Sequence, residues 1–147
     1  MPDSSAGCLF DRIVAGLLAA PVVFEDQCSL AFLDHRPVFP GHTLLISKEH
    51  FETLADLPAR LIQPFFANAQ LLARAVEEAL GADGTFVAIN NRVSQSVPHL
   101  HVHIVPRRKK DGLRGFFWPR QPYPDPVEAE RIRKNIADTV LRLLAGG

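Results

Sequence analysis

Histidine alternates with aliphatic residues through Pro98-His99-Leu100-His101-Val102-His103-Ile104-Val105-Pro106, and this short run holds three of the chain's six histidines. In an extended strand alternate side chains share a face, with roughly 6–7 Å between their Cα atoms. His99, His101 and His103 are therefore expected along one side, with Leu100, Val102 and Ile104 buried on the other. Such a row of imidazoles can line a wet sheet face, or let two rings share a metal ion. It can also supply a nucleophile, because a neutral ring with pKa near 6.5 attacks at neutral pH and leaves readily in a second step. Gln95 and Ser96 lie just upstream. Their amide and hydroxyl groups suit phosphate oxygens, which favours the third use. His103 or His99 could donate a further hydrogen bond to charge developing on phosphorus.

The surrounding pattern indicates what positions this strand. Leu9, Ile13, Val14, Leu17 and Leu18 recur at helical spacing, predicting a short helix over Leu9–Leu18 that Pro21 ends. Val22–Glu25 and Ser29–Leu33 read as strands joined at Asp26-Gln27, and Thr43–Ile46 as a third strand after the loop of Pro37, Pro40 and Gly41. Pro58 suits the first turn of a long helix, which keeps its apolar spacing from Leu61 to Leu80 and stops at Gly81. Thr85–Ile89 and Leu100–Val105 are β-branched strands. After the proline-rich stretch Pro119–Pro126, Val127–Leu144 forms an amphipathic helix with Ile132, Ile136, Val140, Leu141 and Leu144 along one side. The expected fold class is α+β: an antiparallel sheet of about five strands with a long central helix, a short N-terminal helix and a C-terminal helix.

A length of 147 residues fits one domain. Sixteen basic and sixteen acidic residues cancel, which argues against a protein that coats nucleic acid. Cys8 and Cys28 are too few for a disulfide framework and read as reduced thiols of a cytoplasmic protein. Asp11 and Arg12 interrupt the apolar stretch Leu9–Ala20, and no run approaches the ~18 apolar residues of a membrane span. Neither a nucleic-acid nor a membrane partner is expected.

The sequence resembles the histidine triad (HIT) superfamily, whose pattern His-φ-His-φ-His-φ-φ, with φ apolar, is matched by His99 to Val105. The likeness extends to Gln95-Ser96-Val97, to Phe32-Leu33-Asp34, to the run from Arg36 to Leu44, and to Lys48-Glu49-His50. It implies a single HIT domain with its core over about residues 8–107 and a C-terminal extension over 108–147. It also implies nucleotidyl transfer through a covalent intermediate on His101, oriented by the His99 carbonyl. His103, Gln95 and Ser96 would contact phosphate oxygens or the leaving group. Asp34 would hold the ribose hydroxyls, Asn90 or Asn91 would contact the ligand, and His42 would support the triad. The implied substrate is a nucleoside phosphoramidate or dinucleoside polyphosphate, cleaved to a nucleoside monophosphate, AMP being the expected one. The implied assembly is a two-fold homodimer through helix and sheet edge.

Several bacterial relatives carry Cys-x-x-Cys near the N-terminus, which with two histidines holds a structural zinc. Here the run is Cys8-Leu9-Phe10-Asp11. Cys8, Asp11, His50 and His99 form the corresponding candidate set, since carboxylate can ligate zinc; the chemistry itself requires no cofactor. The loop Asn91–Ser94 is shorter than in many relatives and lacks their glycine. Competing readings are a nucleotide-binding adaptor with little turnover, a transferase or phosphorylase using the same intermediate, and a metal-dependent hydrolase centred on His99 and His101. The basic run Arg107–Lys110 reads as a solvated turn, and the aromatic stretch Gly115–Arg120 as a plug or a border of the substrate pocket.

Overall fold

Side-chain-capped turns separate the short strands and set their register. Asp26 closes the first hairpin, its Oδ1 accepting hydrogen bonds from the N–H groups of Cys28 and Ser29 at 2.9 Å each. The computed structural model describes residues 7–113 and 120–146. Its first unit, Met1–Asp111, runs α1 (Leu9–Val14), β1 (Val22–Glu25), β2 (Ser29–Leu33), β3 (Thr43–Ser47), a 3-10 turn (Leu54–Asp56), α2 (Ala59–Leu80), β4 (Gly84–Ala88) and β5 (His101–Arg107). The strands form one antiparallel sheet in the order β1-β2-β3-β5-β4. This is the expected α+β architecture, with the histidine strand inside the sheet.

Each face of the sheet has its own core. Phe65, Ala69, Leu72 and Val76 recur at helical spacing on α2 and pack with Ala31, Leu45, Leu100, Val102 and Ile104. A large apolar side chain buried in this way contributes about 1.5–3 kcal/mol. Pro64 lies inside α2 without ending it. Gly81, in the left-handed region at φ 59°, does end it, and Ala82 N–H returns to the Glu77 carbonyl at 3.0 Å. The opposite face carries Leu30, Phe32, Leu44 and Ile46, packed with Cys8 and Phe10. Register places Ile46 beside His101 and Leu44 beside His103, so the histidines belong to this second face.

Three expectations need correction. First, α1 ends at Val14, well short of Leu18 and Pro21. Gly16 at φ 75° donates to Ile13 O, and Leu17 N–H reaches Arg12 O, a glycine stop that outranks the later proline. Second, β5 begins at His101. His99 precedes it, held in the approach by its N–H to Val97 O at 2.8 Å, while Leu100 N–H reaches Phe51 O at 2.6 Å. Third, β4 starts one residue earlier than expected, at Gly84.

The second unit, Gly112–Gly147, contains α3 (Pro126–Gly146). Asp125 caps it by accepting Glu128 N–H at 2.8 Å. Pairs Glu128–Arg131, Glu130–Arg133 and Lys134–Asp138 lie along its polar surface, while Ile136, Val140, Leu141 and Leu144 are exposed. The aromatic stretch Gly115–Pro119 lies outside the described residues. Among the described residues, no helix is long and apolar enough to cross a membrane.

Candidate active site

A chain of hydrogen bonds fixes which nitrogen of each imidazole carries a proton. His101 Nδ1 lies 2.7 Å from the His99 carbonyl, an acceptor, so Nδ1 donates and Nε2 keeps its lone pair. Val38 N–H donates to His42 Nδ1 at 3.1 Å, so His42 carries its proton on Nε2. That proton points at His103 Nδ1, 3.0 Å away. His103 is thereby an acceptor at Nδ1 and a donor at Nε2. The two triad rings stand 4.9 Å apart between centroids.

Burial keeps these rings neutral. It lowers the pKa of His101 against the opposing pull of the His99 carbonyl and Asp34. His103 is pushed down to about 4 by burial first and then by neighbouring His101 and His42. His42 is lowered by burial, which outweighs Asp34. A neutral ring with a free Nε2 lone pair beside a ring with a free Nε2–H is a nucleophile next to a hydrogen-bond donor.

His101 and His103 open onto a cleft of about 330 Å³. His101, His103, Ser96 and Asp34 line it, with Phe10, Ile13, Phe32 and Leu44 among its apolar walls. Phe10 packs edge-on against Phe32 at 5.6 Å and against His101 at 5.2 Å. Asp34 Oδ1 accepts Arg36 N–H at 2.9 Å, and Oδ2 lies 3.7 Å from His42 Nε2. No lysine or arginine is found among the described residues lining the cleft.

Other expected site residues stand elsewhere. Gln95 uses both ends of its amide to tie down its own loop: Nε2 donates to the Glu52 carbonyl at 2.6 Å and Oε1 accepts Arg92 N–H at 2.7 Å. Asn91 accepts Leu54 N–H at 2.9 Å. Neither residue, nor Asn90, lines the cleft. The loop they secure holds Arg92 and Ser94 at positive φ (69° and 58°), a region that L side chains rarely adopt. His42 and His99 are buried and do not line the cleft either. The sequence reading missed Phe10 and Ile13 as cleft residues: Ile13 entered only as part of a helical apolar pattern that omitted Phe10, and such a pattern gives no sign of which surface it covers.

Cys8, Asp11, His50 and His99 bring one ligand atom each within 4.8 Å of one another. His99 Nε2 donates to the Ser47 carbonyl at 2.6 Å, which leaves the Nδ1 lone pair facing Asp11 Oδ1 at 3.4 Å and Cys8 Sγ at 3.5 Å. A lone pair opposite a carboxylate is an arrangement that a cation resolves, so this set fits zinc. Asp34, His42 and His103 also cluster within 4.8 Å. They do not fit: Val38 occupies Nδ1 of His42, so metal at Nε2 would require a ring with no proton.

Comparison with known proteins identifies the family of the chain. The HIT domain family model matches residues 18–110. Protein hit of Bacillus subtilis is 34% identical over 140 residues, covering 94% of each chain. Adenosine 5'-monophosphoramidase hnt1 of Schizosaccharomyces pombe is 33% identical, covering 90% of this chain and 98% of its own. A crystal structure from Streptococcus mutans superposes with a TM-score of 0.84 at 35% identity, covering 95% of this chain and 89% of that one. A zinc-bound histidine triad family protein from Mycobacterium smegmatis gives a TM-score of 0.70 at 38% identity, covering 95% and 99%. The chain belongs to the HIT domain family.

Proposed function

We propose that this protein is a nucleotide hydrolase that cleaves at the α-phosphate of a nucleoside phosphoramidate or dinucleoside polyphosphate, with His101 Nε2 as nucleophile. The observation that carries the reading is the free Nε2 lone pair of a neutral ring, set by the 2.7 Å bond from Nδ1–H to the His99 carbonyl. In the first step Nε2 attacks phosphorus. A P–N bond forms, the bond to the leaving group breaks, and the departing atom takes a proton from water. A water molecule then attacks phosphorus, forming P–O and returning the P–N electron pair to Nε2, with its proton passing to solvent. His103 Nε2–H and the Ser96 hydroxyl donate to phosphate oxygens, Asp34 takes the ribose hydroxyls, and Phe10, Ile13, Phe32 and Leu44 wall the base. Gln95 reaches phosphate only by releasing Glu52 and Arg92; as it stands, it and Asn91 position the loop.

The likeness to the yeast monophosphoramidase supports a phosphoramidate as the first substrate to try. Two further features belong to the proposal. Zinc held by Cys8, Asp11, His50 and His99 would be structural, supplying a cross-link and no reactive water. A two-fold homodimer would use α2 and the edge strand β4, which expose Ile62, Leu71 and Val87.

The test is an early quench after mixing with adenosine phosphoramidate, followed by intact mass measurement. The expected result is a gain of one adenylyl group that is absent in His101→Ala, with AMP release slowed at least about a thousandfold in the variant. Unchanged turnover in His101→Ala would sink the mechanism. AMP binding with neither adduct nor turnover would point to a binding protein.

A further inference from the structure

Helix α1 forms part of the cleft and part of the candidate metal set at once. Leu9, Phe10 and Ile13 line the cleft, while Cys8 and Asp11, on either side of Phe10, belong to the metal set. Only six residues long and without a side-chain N-cap, α1 lies far below the length at which a helix holds itself together. Its position must come from what it touches. The backbone hydrogen bonds of residues 8–18 stay within that segment among the described residues. Among the described residues, the polar ties from α1 and its N-cap to the rest of the fold are those of Cys8 and Asp11: Cys8 Sγ to His99, and Asp11 to His50 at 2.7 Å and to His99 at 3.4 Å. Apart from apolar packing of Cys8, Phe10, Ile13 and Val14, α1 is fastened through the metal ligands.

We infer that metal occupancy at Cys8, Asp11, His50 and His99 controls nucleoside affinity by fastening α1, and with it the Phe10 and Ile13 wall, onto the sheet. The inference rests on both the zinc and the nucleotide readings above and adds a coupling between them. Two of the ligands come from α1 and its N-cap and two from the body of the fold, so a metal ion adds a polar cross-link between parts that otherwise meet through apolar packing and the few contacts above. When the metal leaves, the Cys8 and Asp11 contacts remain as a single 2.7 Å pair and two longer approaches. Phe10 then has less to hold it edge-on to Phe32 and His101.

The experiment compares chelator-stripped protein with the same protein reloaded with zinc ions, using AMP as the probe. Calorimetry gives AMP affinity in each form and zinc affinity with and without saturating AMP, while amide hydrogen exchange follows residues 9–14. Zinc is expected to tighten AMP binding by about 5- to 100-fold, AMP to tighten zinc binding by the same factor, and exchange in α1 to slow on zinc addition. Cys8→Ala should bind AMP like the stripped protein whether or not zinc is added. If zinc binds but neither affinity responds to the other ligand, the coupling is wrong while the zinc site stands. If zinc does not bind, the zinc reading and the coupling fall together. If zinc binds and AMP binds neither form, the nucleotide reading and the coupling fall and the metal site survives.

Discussion

His42 Nε2 stands 3.0 Å from His103 Nδ1, and Val38 N–H closes the far side of the His42 ring at 3.1 Å. A backbone amide thus sets the tautomer of a ring it never touches. Replacing His42 by leucine removes the donor and leaves Nδ1 of His103 unpaired in a half-buried position. His103 can then exchange tautomers and lose its Nε2 proton to Nδ1. Turnover in His42→Leu is expected to fall about 100-fold, the scale of losing one aimed donor. His42→Gln can accept from Val38 and donate to His103, so it should recover much of that loss. Equal damage from both substitutions would mean that His42 acts by shape alone.

The low pKa of His103 makes a separate prediction. Burial, and after it His101 and His42, depress the folded value from 6.5 to about 4. An imidazole in the unfolded chain takes up its proton around pH 6.5, so between pH 6.5 and 4 the unfolded state binds more protons. The contribution of His103 to stability is therefore fully present above pH 6.5 and is lost as pH falls toward 4. By NMR the His103 ring should remain neutral at pH 5.5. A midpoint near 6.5 would show that the ring is solvated and the closed arrangement with His42 is absent.

How much of this was legible in the sequence varied with the range of the interactions involved. The triad was, because a strand repeats every two residues and the alternation of His99, His101 and His103 is a local pattern. Where α1 stops is legible in principle: Gly16, at positive φ, ends it five residues ahead of Pro21. The role of Gln95 was not, since its amide bonds the carbonyl of Glu52, 43 residues away, and no local pattern reports that contact. The same holds for Phe10, which becomes a wall of the cleft only after α1 docks beside Phe32 and His101.

Gly41 tests how firmly the support residue is placed. Its φ of 100° is one that L side chains rarely adopt, and an added Cβ would run into the Leu80 side chain at the end of α2. The neighbouring His42 N–H closes a turn onto Phe39 O at 3.0 Å. Gly41→Ala should destabilise the protein by about 1–3 kcal/mol and lower activity further by displacing His42. A measured change below a few tenths of a kcal/mol would show that the loop relaxes freely.

Asp26 provides the last prediction, one of stability away from the cleft. Its Oδ2 accepts Asn68 Nδ2–H at 2.7 Å, joining the first hairpin to α2, while Oδ1 serves Cys28, Ser29 N–H and the Ser29 hydroxyl. Burial pushes this carboxyl up, but the Asn68 amide and the Cys28 and Ser29 N–H groups together outweigh it and hold it at about 2, below the ordinary 3.8. The folded state thus favours the ionised form. Its contribution is complete above the unfolded value near 4 and disappears as pH falls through about 2. Asp26→Asn should cost about 2 kcal/mol at neutral pH, and the penalty should shrink as the wild type is acidified toward pH 2. Asn68→Ala should cost less in the Asp26→Asn background than alone, because the two side chains share one bond. Additive losses together with a pH-independent penalty would show that the carboxylate and the amide act separately.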